Sequence, residues 1–182
     1  MPDIHLNAIR KGAIIGDLPF PLDEKRPSSV SNYDELLGQT WDIGNGGFAR
    51  LVRANGANTA PAKLMFIYSD TDAFDVVQST TAGVTIIPCG VAHEKLEALA
   101  DNDFFFLING RAGTFIKCVD SGSGVTAADY LQCTAAGEVV TDTHDATSIL
   151  TTGLNFGQVV VTAAADADVT VMLNGPMLGT IA

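Results

Sequence analysis

The chain has 182 residues, of which 47% are apolar and only 17% charged, with a net charge of −11. A chain of this length buries about 70% of its unfolded surface, so a core needs no metal or disulfide. Its low charge content fits either a Gly/Ala/Thr-rich β protein or a surface partly covered by a partner. Every Lys and Arg lies at or before Lys117, and seven acids follow with no Lys or Arg, which argues against the basic stripe that nucleic acid requires.

Residues 1–38 form a first region. Four of the seven prolines fall here, Pro2, Pro19, Pro21 and Pro27. The apolar residues Ile4, Leu6, Ile9, Ile14, Ile15, Leu18, Phe20 and Leu22 follow no helical period. Pro19-Phe20-Pro21 forces an extended path, because proline fixes φ and biases its predecessor away from helix. Asp23 to Ser29 reads as a solvated linker. The region is expected to be an extended arm, apolar enough to bind a partner and unable to fold alone. The opening residues lack the apolar core of a signal peptide, and no run approaches the ~18 apolar residues of a membrane-spanning helix.

Residues 39–182 read as short strands between turns. Strands are expected at 47–53, 63–68, 84–88, 104–108, 114–119, 130–134, 138–141, 158–162 and 169–173. In the last, Val169, Val171 and Leu173 share one face while Thr170 and Asn174 share the other, the period of a half-buried strand. Turn signals recur at Gly44-Asn45-Gly46-Gly47, Asn109-Gly110, Ser121-Gly122-Ser123-Gly124, Ala136-Gly137 and Asn174-Gly175-Pro176. Asn109-Gly110 lies between two apolar runs and reads as a tight hairpin, with Gly113 able to host a bulge and Arg111 in solvent. One short helix is plausible over Ala92–Ala100. Strands at this spacing, without long helices between them, indicate a mainly β protein: a small barrel or sandwich with an extended N-terminal arm and at most one short helix.

Signatures of chemistry are weak. The glycines of 44–47 precede a strand, not a helix, and no Lys-Ser/Thr follows, so they make no phosphate loop. His93-Glu94 is half of a zinc-protease motif whose second imidazole is replaced by Glu97. Thr141 to Thr147 is polar but lacks the oxygen spacing of a calcium loop. No Gly-x-Ser-x-Gly elbow is present. Cys89, Cys118 and Cys133 are odd in number and far apart, which fits buried free thiols and not a disulfide or zinc framework. No enzymatic activity, metal or cofactor is expected.

Residues 90–175 carry a resemblance. Gly90-Val91-Ala92-His93-Glu94, Ala100-Asp101-Asn102-Asp103 leading into Phe104 to Ile108, and Gly110 resemble small β-barrel virion proteins of tailed bacteriophages. Val125 to Leu131, Ala135 to Val140, Gly157 to Val161 and Val169 to Leu173 continue the pattern. Similar proteins are capsid decoration, or cement, proteins. The resemblance implies assembly outside the capsid, often as trimers, with an N-terminal segment on the major capsid protein, and no catalytic residues. The location implied is the exterior of the virion, with the host cytoplasm before assembly. On this reading the capsid-contact residues are the eight apolar arm residues named above, and Phe104, Phe105, Phe106 and Ile108 are candidates for a trimer interface. The other reading is a fibre, spike or tail component that binds a host glycan through a surface cluster of Trp41, Tyr68 and Tyr130.

Overall fold

The computed structural model describes residues 17–30, 33–69, 74–78, 88–134, 136–142 and 156–177. The chain is mainly β, as its sequence indicates. Among the described residues it forms eleven strands: β1 (Thr40–Gly44), β2 (Gly47–Ala54), β3 (Met65–Tyr68), β4 (Asp75–Gln78), β5 (Gly90–Ala92), β6 (Phe104–Gly110), β7 (Phe115–Val119), β8 (Tyr130–Cys133), β9 (Val139–Thr141), β10 (Gly157–Val159) and β11 (Asp168–Leu173). A three-residue 3-10 turn, Asp34–Leu36, is the one helical element among the described residues.

Strands β1 to β6 make the first sheet. β2 pairs antiparallel with β6 along Gly47–Arg53 and parallel with β4 at Arg53 and Ala54. β4 pairs with β3, β3 with β5, and β5 with β6. The hydrogen bonds therefore run around a ring of five strands, a closed barrel, with β1 on the outside of β2's first half. Closure leaves few open edges, which suits short strands.

The apolar run of β6 serves two cores at once. Strand side chains alternate between faces. Phe105 and Leu107 point into the barrel, among Val52, Ala54, Phe66, Val76 and Ala92. Phe104 and Phe106 point outward, under Phe20 and Trp41 with Ala49 and Leu51. Both faces are covered, so the strand reads as a continuous apolar run. Phe106 meets Phe20 at 4.7 Å and stands edge-on to Trp41 at 5.5 Å between ring centroids.

Strands β7 to β11 form a second, antiparallel sheet in the order β7-β11-β10-β8-β9. Ser121 N–H donates to Val139 C=O at 2.9 Å, and Asp120 bridges Val139, which brings the end of β7 round to β9. The inner faces, with Ile116, Cys118, Leu131, Val139, Val169 and Val171, pack into a third core that also takes Met65 and Val91 from the barrel's outside. The Met65 N–H to Gly137 C=O bond, at 2.7 Å, and the Lys63–Asp168 ion pair also join the two sheets.

Four sequence expectations change. Asn109-Gly110 is not a hairpin turn: both residues belong to β6, and the chain then crosses from one sheet to the other. Buried Asn109 spends its amide on Cys89 C=O, Met177 C=O and the N–H groups of Met177 and Gly110, at 2.7–3.1 Å. Gly110 is needed for close approach, since a Cβ there would lie 2.4 Å from Thr114 Cγ2. The tight hairpin is at Asn45-Gly46, both with positive φ, between β1 and β2. Arg111 is exposed, as read.

No helix forms over 92–100. Ala92 ends β5, and Asn58 and Leu99 exchange both main-chain hydrogen bonds, at 2.7 and 3.0 Å. A helix of two turns is marginal by itself, and this pairing outcompetes it. The segment 23–29 is solvated at Asp23, Glu24 and Pro27 to Ser29, as expected, but it is tied to the body and is not a free linker. Arg26 and Phe104 exchange main-chain bonds at 2.9 and 2.8 Å, and Lys25 pairs with buried Asp103 at 2.9 Å. Finally, the strand expected at 158–162 is only Gly157–Val159, with Val160 and Val161 exposed beyond it. Most of the strand expected at 84–88 lies outside the described residues.

Candidate interaction surface

The arm residues divide into two groups. Ile4, Leu6, Ile9, Ile14 and Ile15 lie outside the described residues. Leu18, Phe20 and Leu22 lie on the chain's own barrel: Phe20 is 4% exposed in the outer core, and Leu18 and Leu22 pack against it. Phe20 also stacks against Tyr33 at 5.3 Å and lies under the Arg26 guanidinium at 5.2 Å. These three therefore offer little to a partner, and a shell-binding role for the arm rests on residues 1–16.

The trimer-interface candidates also change. Phe104, Phe105 and Phe106 are buried in the single chain's own cores. A ring already surrounded by its own protein has no apolar area left for a second copy. Ile108 is half-buried and turned toward the second sheet. Sequence pattern showed that these residues are apolar but not which side of the strand is free.

The aromatic trio expected of a glycan platform does not assemble. Trp41 is buried against Phe106. Tyr68 packs against the barrel interior with its hydroxyl bonded to Arg50, and burial raises its pKa. Tyr130 alone of the three stands in solvent, on β8. All three cysteines are buried and none is in a disulfide. Burial pushes the Cys89 thiol up to about 12 and raises that of Cys118 as well, which removes the thiolate a nucleophile needs. Among the described residues, no three His, Cys, Asp or Glu side chains converge to hold a metal. The cluster at 141–147 lies mostly outside those residues.

Two features remain. A groove of about 390 Å³ separates the sheets on one side. Leu22, Ile43, Val91, Ile108, Phe115 and Ile116 give it an apolar wall, and His93, Glu94, Lys117 and Thr170 supply the polar groups. Beside it lies the outer face of the second sheet. There the strand register sets Tyr130, Gln158, Met172 and Phe115 in one row across β8, β10, β11 and β7. Phe115 is 62% exposed and Tyr130 37%. Half-buried Gln158 and Met172 lie between these two exposed rings. Sequence reasoning found β7 but not the freedom of Phe115, because the alternation Phe115-Ile116-Lys117-Cys118 is apolar on both sides at its start.

No protein-family profile matches the chain, and no curated protein matches it in sequence. The fold is similar to that of the head fiber gp8.5 N base of bacteriophage phi29, with a TM-score of 0.51 and 21% identity. The similarity covers 74% of this chain and 99% of that one. Identity at this level shows a shared fold.

Proposed function

We propose that this chain is a structural protein of a phage virion that acts by binding and not by chemistry. It sits on the exterior of the head, attached to the major capsid protein, and works as a trimer. The observation that carries the reading is the fold likeness to a phage head-fibre base over nearly all of that chain. The burial of the three thiols accords with it.

Attachment is assigned to the N-terminal segment 1–16. Extended segments add to the open sheet edges of partners, where main-chain hydrogen bonds supply affinity and side-chain pockets supply register. Several such segments on one body turn weak single contacts into firm attachment, because the later contacts are intramolecular. A protein that binds only the assembled shell stabilises that state. Deleting residues 1–16, and stopping before Phe20, is expected to leave a body with unchanged melting that no longer coats particles. Undiminished coating by that variant would remove the segment from the mechanism.

A second reading has the body as the attached base of a fibre, and the neighbour's own description as a head-fibre base favours it. Glycan binding by Trp41, Tyr68 and Tyr130 loses its platform with Trp41 and Tyr68 packed into the fold. Labelling of whole particles separates the readings: a coat over the head supports decoration, and projections bearing further protein support a fibre.

A further inference from the structure

We infer that the end of the barrel holding Arg50 and Tyr68 is a binding site for a carboxylate, carried by an acidic side chain of a partner protein. The inference goes beyond the proposed function and stands on the chemistry of this site alone.

The register places Arg50. It pairs with Leu107 on β6 and shares its side of β2 with Val52. Leu107 and Val52 both belong to the barrel's interior. Directly opposed residues share a face, so the Arg50 side chain enters the barrel too. The ring closes through β4, which meets β2 only at Arg53 and Ala54. Arg50 lies before that pairing, ~10 Å along the strand. It therefore stands at the end of the barrel, beside Tyr68, the last residue of β3.

A charge in this position needs a partner. Burying an ion is costly unless an opposite charge and hydrogen bonds compensate it, and a guanidinium does not escape by losing its proton. Other bases tied into the fold have carboxylates: Lys25 has Asp103, Arg26 has Glu24, Arg53 has Asp75 and Asp34, and Lys63 has Asp168. Arg50 has none among the described residues, in a chain with 21 acids. Its Nη1 donates to the Tyr68 hydroxyl, and its Nε–H is covered by protein with no acceptor. The polar groups near it are neutral. Burial raises the pKa of the Tyr68 hydroxyl and pushes the Cys89 thiol, close enough to feel the guanidinium, up to about 12.

The open end of the guanidinium faces out. Arg50 is half-buried, and with Nε covered its exposure lies at the Nη end. One N–H of Nη1 goes to Tyr68 and the others remain to donate. The Tyr68 hydroxyl, having accepted from Arg50, still has its own proton to give. A carboxylate set between the two accepts from both. One guanidinium balances one negative charge, which suits a carboxylate better than a doubly charged phosphate. Phe74, 36% exposed, stands edge-on to the Tyr68 ring at 6.3 Å between centroids. It gives the site an apolar shoulder that a residue next to the acid on a peptide can cover and a free small anion cannot. That favours a protein as the source of the carboxylate.

The test follows the Arg50 Nε–H resonance of the isotope-labelled full chain by NMR, assigned by its loss in Arg50→Lys. The probes are acetyl-Glu-Phe-amide, acetyl-Gln-Phe-amide, acetate and inorganic phosphate at constant ionic strength. The expected result is a saturable shift with the Glu peptide and binding at least ~10-fold weaker for the Gln peptide. Tyr68→Phe keeps the ring and loses the hydroxyl, and it should weaken the Glu peptide by ~10-fold with the backbone resonances in place. A resonance that no probe moves, or that both peptides move equally, would overturn the site. Phosphate binding more tightly than the Glu peptide would overturn the choice of a carboxylate, and acetate binding as tightly would overturn the protein source. A chain that binds the Glu peptide here yet is missing from particles would keep the site and remove the proposed function.

Discussion

Phe20→Ala tests whether the segment after residue 16 is part of the folded body. Phe20 is 4% exposed and touches Phe106, Tyr33 and Arg26 across the outer core. Phe→Ala in a core costs ~3–5 kcal/mol. The segment lies on the outside of the barrel and can resettle partly, which favours the lower end, about 3 kcal/mol. For a chain of this size, 1 kcal/mol moves the midpoint by ~2–4 °C, so a fall of ~6–12 °C is expected. The same change loosens the segment locally, because Lys25 and Arg26 are held by Asp103 and by main-chain bonds to Phe104. Thermal melting by circular dichroism reads the first effect, and the rate of tryptic cleavage after Lys25 reads the second, the Arg26-Pro27 bond being resistant. A loss under ~1 kcal/mol with unchanged cleavage would show that the segment is only loosely laid on the barrel, and the division of the arm at residue 16 would fall.

Asp120→Ala removes the carboxylate whose Oδ2 accepts from the N–H groups of Gly122, Gly124 and Asp166 at 2.8–3.3 Å; bonds to charged groups carry ~1.5–3 kcal/mol each but do not add, so a total loss of ~3 kcal/mol is expected by urea unfolding. Glu138 has its pKa raised, first by burial and then by Asp166 and Asp120. The native state therefore holds its proton longer than the unfolded chain, and stability falls as pH rises from the unfolded value through the folded one. Glu138→Gln should raise the melting midpoint at pH 7 and leave it unchanged well below the carboxylate range; equal effects at both would deny the charge origin. Gly110→Ala forces a Cβ to within 2.4 Å of Thr114 Cγ2 and should cost ~1–3 kcal/mol, measured by the same melts.

Much of the fold was legible because strand periodicity is local. The alternation Val169-Val171-Leu173 marks β11, and the inward face of the second sheet follows it. What the sequence withheld depends on distant contacts. Leu96 and Leu99 sit at helical spacing, yet the chain makes one turn, closed by Leu96 N–H on His93 C=O, and then pairs Leu99 with Asn58. Asn109-Gly110 has the composition of a tight turn, but Met177 and Thr114 lock both residues into a strand. The contact surface was the least legible part. Apolar character alone does not say which residues are covered: the conspicuous Phe104–Phe106 run is buried on both sides, and the unremarked Phe115 stands free. Composition makes residues 1–38 look like one unit, and the contacts of Phe20 and Arg26 with β6 reveal where the segment joins the body.

On the proposed function, this chain coats the head of a virus particle from outside. The most direct measurement is counting its copies on purified particles by quantitative mass spectrometry, paired with antibody labelling of intact virions. Many copies per particle, all accessible from outside and spread over the head, are expected. A chain missing from particles, or confined to the tail, would contradict it.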